Sequence, residues 1–306
     1  MLKQEDKVLI RTALMEYRYL LFKTYHGTDD EKSRIAQLNK VLQNLASVVS
    51  VKGKMKKLLV TLLMSAASAV CLANEDLRIA DSCYTARAEH AIGDKANPKN
   101  ARLMIDSYRK AMNDPAVEEK ATEGYVKSLF FSFRFVHFEK HQRKAKLDSL
   151  KTISESAYQK FPKNREIAHV YASALSMWGN ERGALTSVKE GVATTVRDVA
   201  IMAEDYQVLG RAHFVLPYVP LVLSWPDKKL ADKYLSLALE KNPRDLYNYY
   251  FLAELRFDQK RYADALNIID RGLSRGVRTN FFLEDKRGRW HLKELQKQIT
   301  AKLDKK

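Results

Sequence analysis

From Glu75 onward the chain is a series of helical segments separated by short breaks. Apolar residues recur at helical spacing, and the period-two alternation that marks strands is absent. A proline ends one helix before the next begins at four of the breaks, which hold Pro98, Pro115, Pro162 and Pro243. Repeated helix–turn–helix units predict an all-α fold of stacked antiparallel helix pairs, an α-solenoid.

Residues 246–273 contain the clearest repeating unit. In its first predicted helix the aromatic Tyr249 precedes the pair Leu252 and Ala253. The second predicted helix carries large and small residues in a fixed order at Tyr262, Ala265, Ile269, Gly272 and Leu273. This pattern resembles the tetratricopeptide repeat (TPR), a unit of about 34 residues built from two helices. Small residues in such a unit let the two helix axes approach where they cross.

Two earlier segments resemble the same template, and their first helices carry Ala168, Tyr171, Ala172 and Leu175, then Tyr206, Leu209, Gly210 and His213. The matches predict repeat starts at 164, 202 and 245, so loops of unequal length separate the units. One helix is predicted over 198–214. The resemblance implies a TPR-like α-solenoid in which the last helix, 283–303, caps the stack. Cations on that helix predict a polar outer face: Lys286, Arg287, Arg289, Lys293, Lys297 and Lys302.

Residues 55–73 have the pattern of a secretory signal peptide. Met55 is followed by two lysines, an apolar run and small residues, and we expect cleavage near Ala73. The uncharged stretch 58–73 is shorter than the about 20 residues that a membrane-spanning helix needs. An uncleaved inner-membrane anchor, with membrane contact through 58–73, is the alternative.

Three regions follow from this reading. Residues 1–54 show helical periodicity and form either a helical N-terminal extension or a segment ahead of a mis-assigned start. Residues 55–73 are the signal peptide or membrane anchor, and residues 74–306 are the TPR-like helical repeat domain. We therefore expect a periplasmic or secreted protein after cleavage, or an inner-membrane-anchored one without it.

The chain is basic, with 53 Lys and Arg against 37 Asp and Glu and a net charge of +16. Because the charges of both signs are interleaved, they indicate solvated helix faces rather than one nucleic-acid surface. The sequence has two cysteines, Cys71 and Cys83. Removal of the signal peptide would leave Cys83 alone, so no intramolecular disulfide is expected.

The TPR resemblance implies a binding surface on the concave face, which is lined by the first helix of each pair. The matching positions are Glu166, His169 and Ser173, then Gln207, Arg211 and Phe214, then Tyr247, Tyr250 and Glu254. Tyrosines supply a large contact area with a polar tip, and Arg211 could clamp a carboxylate. We expect these residues to contact a protein or peptide partner.

The segment 215–226 is apolar although its prolines keep it out of a helix. Loops are usually polar, so this one either covers its own scaffold or offers an apolar surface to a partner. If the second account holds, part of the loop lines a ligand or partner site through Pro217, Tyr218, Pro220 and Trp225.

Motifs of catalysis, phosphate binding and dinucleotide binding are absent from the sequence. His137 and His141 are four residues apart and could face one metal ion, but no acidic or cysteine ligand lies at a fitting spacing, so no metal site is expected. The cluster Phe133, Arg134 and Phe135 is too sparse to indicate nucleic-acid binding. We expect no enzyme activity, cofactor or catalytic residue.

The sequence therefore predicts a non-enzymatic periplasmic scaffold that binds protein or peptide partners in the bacterial envelope. The alternative is an accessory component of a periplasmic solute transporter, because a signal peptide followed by TPR-like helices resembles the T component of TRAP transporters. Such a component would bind a small apolar ligand or a solute-binding subunit. Identity of the partner and oligomeric state are not encoded in any motif.

Overall fold

The computed structural model describes residues 75–183, 187 and 190–304. All regular secondary structure in this part of the chain is helical, apart from two isolated β-bridges. The helices are α1 (75–85), α2 (Pro98–Ala111), α3 (Glu118–Phe135), α4 (Arg143–Lys160), α5 (Arg165–Arg182), α6 (Val192–Met202), α7 (Tyr206–Val215), α8 (Lys228–Lys241), α9 (Leu246–Asp258), α10 (Tyr262–Leu273) and α11 (Phe282–Leu303). The predicted all-α class is confirmed over these residues.

The contacts within the chain divide it between Glu75 and Asp76, and helices α2–α11 all belong to the unit Asp76–Lys306. The predicted extension 1–54 and the predicted signal peptide 55–73 lie outside the described residues. Among the helices that are described, none has the length and apolar character required to cross a membrane.

Helices that are neighbours in the sequence pack against each other throughout this unit. Each helix from α2 to α10 packs on the next one along the chain. Counted from α3, the pairs are α3 with α4, α5 with α6, α7 with α8, and α9 with α10, and each pair also contacts the next. The largest apolar core joins α8, α9, α10 and α11 through fully buried side chains that include Leu235, Tyr249, Ile269 and Leu292. Each pair thus covers the apolar face of its neighbour, as helical-repeat stacks require.

Close crossings within the pairs depend on glycine, as the sequence predicted for Gly210 and Gly272. A Cβ added at Gly210 on α7 would lie 2.6 Å from the Leu235 Cγ atom of α8. A Cβ at Gly272 on α10 would lie 3.0 Å from the Tyr249 Cβ atom of α9. Any side chain at these positions would push the paired helices apart.

The first helices of successive pairs are α3, α5, α7 and α9, and three of them begin at a polar capping residue. Asn164, Asp205 and Asp245 accept a hydrogen bond from a backbone N–H in the first turn of α5, α7 and α9 respectively. These caps are almost equally spaced along the chain, so the start predicted at 202 was wrong. The helix predicted over 198–214 is also two helices, because Glu204 takes a φ of 53° and breaks the ladder before Asp205.

Each capping side chain also contacts the preceding first helix. Asn164 Nδ2 donates to Glu119 and Glu123 of α3 at 3.1 and 3.3 Å. Asp205 Oδ2 lies 2.5 Å from His169 Nδ1 of α5, and Asp245 Oδ2 accepts from Gln207 Nε2 of α7 at 3.0 Å. The same residues therefore start a helix and fix its position against the previous one.

Helix α11 packs on α9 and α10, where a terminal helix belongs, but it also contacts the beginning of the unit. Leu283 is fully buried in a core with Ala80, Met104 and Phe135. The buried Arg87 guanidinium donates twice to Glu284 Oε1, at 2.9 and 3.1 Å. The first and last helices of the unit are therefore joined, which closes the series of contacts on itself.

Two cations that the sequence assigned to a solvated outer face take part in this closure. Lys286 Nζ donates to the Gly93 carbonyl at 2.7 Å, and Arg287 donates to the Arg134 carbonyl at 2.6 Å. Arg289 donates to the Leu273 and Arg275 carbonyls instead. Because the first part of α11 is held between two sets of helices, it is more than a cap with a polar outer surface.

Candidate functional site

The inner faces of the first helices line a concave cavity of about 940 Å³ that is partly open to solvent. Each of α3, α5, α7 and α9 contributes side chains to its wall, and the segment around Phe281 at the start of α11 closes one side. Aromatic rings form much of this wall, from Phe130, Phe131, Phe135, Tyr247, Phe251 and Phe281. A concave, largely aromatic wall with a few polar groups is the usual construction of a small-ligand site.

Six of the nine residues predicted for the concave face line the cavity: Glu166, His169, Ser173, Gln207, Arg211 and Tyr247. The other three lie beside it. Glu254 accepts a hydrogen bond from Arg211, Phe214 packs against the core of α8 and α9, and Tyr250 stacks on His291 at 4.8 Å between ring centroids. The structure thus brings the predicted set to one region of the unit, while binding by these residues stays a prediction.

Most charged groups in the cavity wall are paired. Lys127 Nζ lies 3.1 Å from Glu166, and Arg165 lies 2.9 Å from Glu204. Arg211 forms an ion pair with Glu254, and Arg278 binds Asp285 through two nitrogens. These pairs leave little unbalanced charge in their parts of the wall.

Burial disfavours the protonated form of His169, but the adjacent Asp205 carboxylate outweighs this and raises the pKa of the imidazole. Burial also acts against the charged form of Asp205, yet His169 and two backbone N–H groups of α7 lower its pKa. An imidazolium bound to a carboxylate therefore joins α5 to the start of α7 at mildly acidic pH.

Arg134 on α3 lies among aromatic rings rather than beside a carboxylate. Its guanidinium carbon lies 4.8 Å from the ring centroid of Tyr247, 5.2 Å from that of Phe135 and 5.3 Å from that of Phe130. Within the part of the chain that the structure describes, no carboxylate forms an ion pair with Arg134. Aromatic rings cover the cation, but its N–H donors lack an acidic acceptor.

Two buried polar atoms of the cavity wall also lack a hydrogen-bond partner among the described residues. They are the Tyr247 hydroxyl and Glu284 Oε2. Burial raises the pKa of the Tyr247 hydroxyl despite the opposing charges of Arg134 and Arg287, so this group is a neutral donor. An unpaired buried hydroxyl is costly, and such groups often face a bound ligand or water.

The apolar segment 215–226 divides into two parts. Leu223 is buried, and Trp225 packs on the core of α5, α6 and α7 and meets His213 edge-on at 5.0 Å between ring centroids. The segment between them and α7 turns back on itself, since the Val219 N–H donates to the Leu223 carbonyl at 2.9 Å. Pro217 lines the cavity.

The tip of this turn faces outward. Tyr218 and Val222 keep about three fifths of their surface exposed, Leu221 is fully exposed, and Pro220 is also exposed. Leu221 has a φ of 65°, a conformation that a branched side chain rarely adopts. The loop therefore has two parts: Leu223 and Trp225 cover the scaffold, whereas the tip exposes apolar side chains.

Within the described residues, no three His, Cys, Asp or Glu side chains come together as a metal site would require. His137 and His141 are exposed, and Cys83 is a free thiol. No protein-family model matches the chain, and none of the curated proteins compared with it is similar in sequence. The cavity must therefore be interpreted from its own chemistry.

Sequence reasoning missed Arg134 as a candidate site residue. The trio Phe133, Arg134 and Phe135 was considered only for nucleic acid, although an arginine between aromatic residues on a first helix was the available signal. Its partner ring, Tyr247, comes from a helix more than a hundred residues later. That contact depends on how α3 and α9 face each other across the cavity, which no local pattern encodes.

Proposed function

We propose that this protein is a non-enzymatic binding protein whose ligand is a small organic molecule held in the interior cavity. The observation that carries the proposal is the shared wall: four successive first helices direct aromatic and polar side chains into one space of about 940 Å³. Ligand pockets for small molecules measure about 300–1,000 Å³ and have this mixture of side chains.

The closure between α11 and the start of the unit supports this choice. Because Arg87 is bound to Glu284 and Leu283 is buried beside Phe135, the two ends of the helical series limit the space between them. The TPR-like arrangement fits the same conclusion, since each first helix contributes one strip of the wall. This function corresponds to the small-ligand alternative of the sequence reading, an accessory component of a solute transporter.

We also propose that the protein works in the bacterial envelope. The support is the signal-like segment at 55–73, with its two lysines, apolar run and small residues before Ala73. Export predicts that the protein purified from periplasmic or membrane fractions starts near Asn74, and N-terminal sequencing measures this. A protein recovered from the cytosol with residues 1–54 attached would contradict export.

Blocking the cavity tests the proposed function. Ser173 lies in the wall on α5 and is half-buried, so the S173W variant would place an indole in the space without removing an ion pair. The neutral fluorescent probe N-phenyl-1-naphthylamine should bind the wild type with increased emission, and S173W should weaken that binding at least about tenfold. The matched control is Ser149→Trp, at an exposed serine of α4 outside the wall.

Equal binding of the probe by wild type and S173W, with both variants folded by circular dichroism, would remove the cavity as the ligand site. A competition screen with metabolites then uses displacement of the same probe. Displacement by a single chemical class would identify the type of natural ligand, and S173W serves as the negative control for each hit.

The exposed loop tip favours a second candidate function, the docking of a protein partner. Tyr218, Leu221 and Val222 form an apolar surface that no described residue covers. We expect a partner captured from envelope extracts by the wild type to be lost with L221S/V222S and retained by S173W. Retention of every captured protein by the double variant would exclude the tip as a docking surface.

A further inference from the structure

We propose that the cavity is selective for organic anions, and that Arg134 and the Tyr247 hydroxyl bind the anionic group of an aromatic or similarly flat ligand. This inference deepens the proposed function and rests on it. The carboxylate or sulfonate would accept hydrogen bonds from both groups, while the body of the ligand would lie against Phe130 and Phe251.

Charge pairing in the wall isolates Arg134. The acids Glu166, Glu204, Asp205 and Glu284 each contact a cationic partner, respectively Lys127, Arg165, His169 and Arg87. Asp245 is bound by Gln207 and by the Tyr247 backbone N–H. Each acid of the wall thus has a partner through at least one oxygen, although Glu284 Oε2 has none, whereas Arg134 has no acidic partner among the described residues.

The region around Arg134 is electropositive. Arg287 contacts the Arg134 carbonyl, and the charges of Arg287, Arg134 and Arg211 all act on His291. Burial and these three cations lower the pKa of His291, so the imidazole is neutral rather than a fourth cation. Asp94 balances part of the Arg287 charge at 3.2 Å, and Glu254 balances Arg211. The charge of Arg134 remains for a ligand to neutralise.

The geometry of Arg134 suits a planar anion. Three aromatic rings lie within 4.8–5.3 Å of the guanidinium carbon, which fixes the side chain by cation–π contact. A guanidinium held in this way keeps its N–H edge for bidentate binding of a carboxylate or sulfonate. The Tyr247 hydroxyl is buried in the same wall beside Arg134, and its proton has no acceptor among the described residues, so it supplies another donor.

Two probes of nearly identical shape test this selectivity. They are 8-anilinonaphthalene-1-sulfonate and N-phenyl-1-naphthylamine, which share the anilinonaphthalene body and differ in the sulfonate. Wild type should bind the anionic probe at least about tenfold more tightly than the neutral one, because charged hydrogen bonds in a buried site are strong. Both affinities are measured by fluorescence titration at fixed ionic strength.

The variants assign the preference to named groups. R134Q should lose it and bind both probes about equally, R134K should keep part of it, and Y247F should reduce anion binding several-fold without changing the neutral probe. Lys241→Gln is the control, because Lys241 also lines the cavity without a carboxylate partner among the described residues but is exposed at its rim. It should leave the ratio of affinities unchanged.

Displacement of the sulfonate probe identifies the source of the anion. Displacement by 3-phenylpropanoate but not by 3-phenylpropanamide indicates a small organic acid. Displacement only by N-acetyl-alanylphenylalanine with a free carboxylate, and not by its amide, would assign the site to a peptide end and contradict a small-molecule ligand.

The outcomes separate this inference from the proposed function. If the neutral probe binds in an S173W-sensitive manner but the anionic probe has no advantage, anion selectivity is wrong and the ligand cavity stands. If R134Q keeps the advantage of the anionic probe, the assignment of the anion site to Arg134 is wrong. If neither probe responds to S173W, both proposals fall. Binding of the neutral probe by R134Q also shows whether that variant retains an intact cavity. If it does not, the affinities of R134K for the two probes test the role of Arg134 instead.

Discussion

The helix pairs α7–α10 and the closure between α11 and the start of the unit are stabilised by different means. Within the pairs, contacts join residues close in sequence, and glycine at a crossing lets apolar side chains such as Leu235 fill the space. At the closure, contacts join residues nearly two hundred positions apart, and a buried ion pair between Arg87 and Glu284 lies beside Leu283. Local repeats therefore build the stack, whereas specific distant groups close it.

Breaking the closure should have the largest effect. Arg87→Met leaves Glu284 partly buried without its cation, and the loss of one partner from such a pair costs about 3–5 kcal/mol in the free energy of unfolding. Urea unfolding of the purified protein measures the cost. Hydrogen exchange should increase most in α1 and α11 and least in α7–α10.

Two variants sharpen this result. Arg102→Met removes an arginine from a pair with Asp106 in which the arginine side chain is 86% exposed, and should cost about 1 kcal/mol or less. The double variant R87M/E284L replaces both buried partners with apolar groups and should recover much of the loss. Uniform destabilisation of all helices by R87M, without recovery in the double variant, would show that the closure is not a separate element.

Overpacking a helix crossing should have the next largest effect. Gly210→Val adds a Cβ that would lie 2.6 Å from Leu235 Cγ and 2.8 Å from the Leu235 backbone nitrogen, so α7 and α8 must separate. Overpacking of this kind costs about 1–3 kcal/mol. Thermal and urea unfolding measure it, and exchange should rise in α7 and α8 rather than at the closure.

Gly276→Ala is the matched control for Gly210→Val. A Cβ at Gly276 meets no atom within 4 Å, and Gly276 is not among the glycines with positive φ. The control should therefore be neutral or stabilise the protein by less than about 1 kcal/mol, because alanine restricts the unfolded chain. Equal losses from the two substitutions would contradict the importance of the crossing.

The same contrast explains what could be predicted from the sequence. Helical periodicity and small residues at Gly210 and Gly272 were sufficient for the all-α class and the close crossings, since each acts over one helix pair. Six of the nine positions predicted for the concave face, on α5, α7 and α9, line the cavity. The sequence did not predict the helix break at Glu204, because no local sequence pattern indicates a glutamate with a positive φ.

The closure and Arg134 could not be predicted in this way. The position at which α11 contacts α1 depends on small rotations that accumulate over every intervening helix pair. In the sequence, Leu283 therefore has the pattern of an ordinary apolar residue of a terminal helix, although it is buried against the first helices of the unit. Arg134 gains its aromatic surroundings from α3 and α9 together. The lack of an acidic partner for Arg134 is evident only in the folded structure, where the acids of the wall contact other groups.

A smaller effect is expected from the link between α5 and α7. The raised pKa of His169 means that its contribution to stability is complete below its ordinary value of 6.5 and is lost as the pH rises through the higher folded value. Asp205 contributes above its ordinary value of 3.8 and loses its contribution as the pH falls through its lower folded value. The pair therefore stabilises most between these two ordinary values.

The H169Q variant isolates this contribution. Wild type should lose more stability than H169Q between pH 6 and pH 9, by about 1 kcal/mol or less because His169 is more than one third exposed. His213 and His291 have lowered pKa values and favour folding at higher pH, but they are common to both proteins and cancel in the comparison. Parallel pH profiles of Tm would exclude the His169–Asp205 link as a source of stability.

The loop tip should show the smallest effect, since it lies outside both the stack and the closure. At Leu221, glycine removes the strain of a positive φ but increases the freedom of the unfolded chain, and these effects nearly cancel. L221G should therefore change the free energy of unfolding by less than about 0.5 kcal/mol, whereas Leu223→Ala, two residues away and buried, should cost about 2–4 kcal/mol. If L221G destabilises the protein as much as L223A does, the tip packs on its own scaffold in solution. A neutral L221G that also loses a captured partner would instead show that this exposed leucine is retained for contact outside the chain.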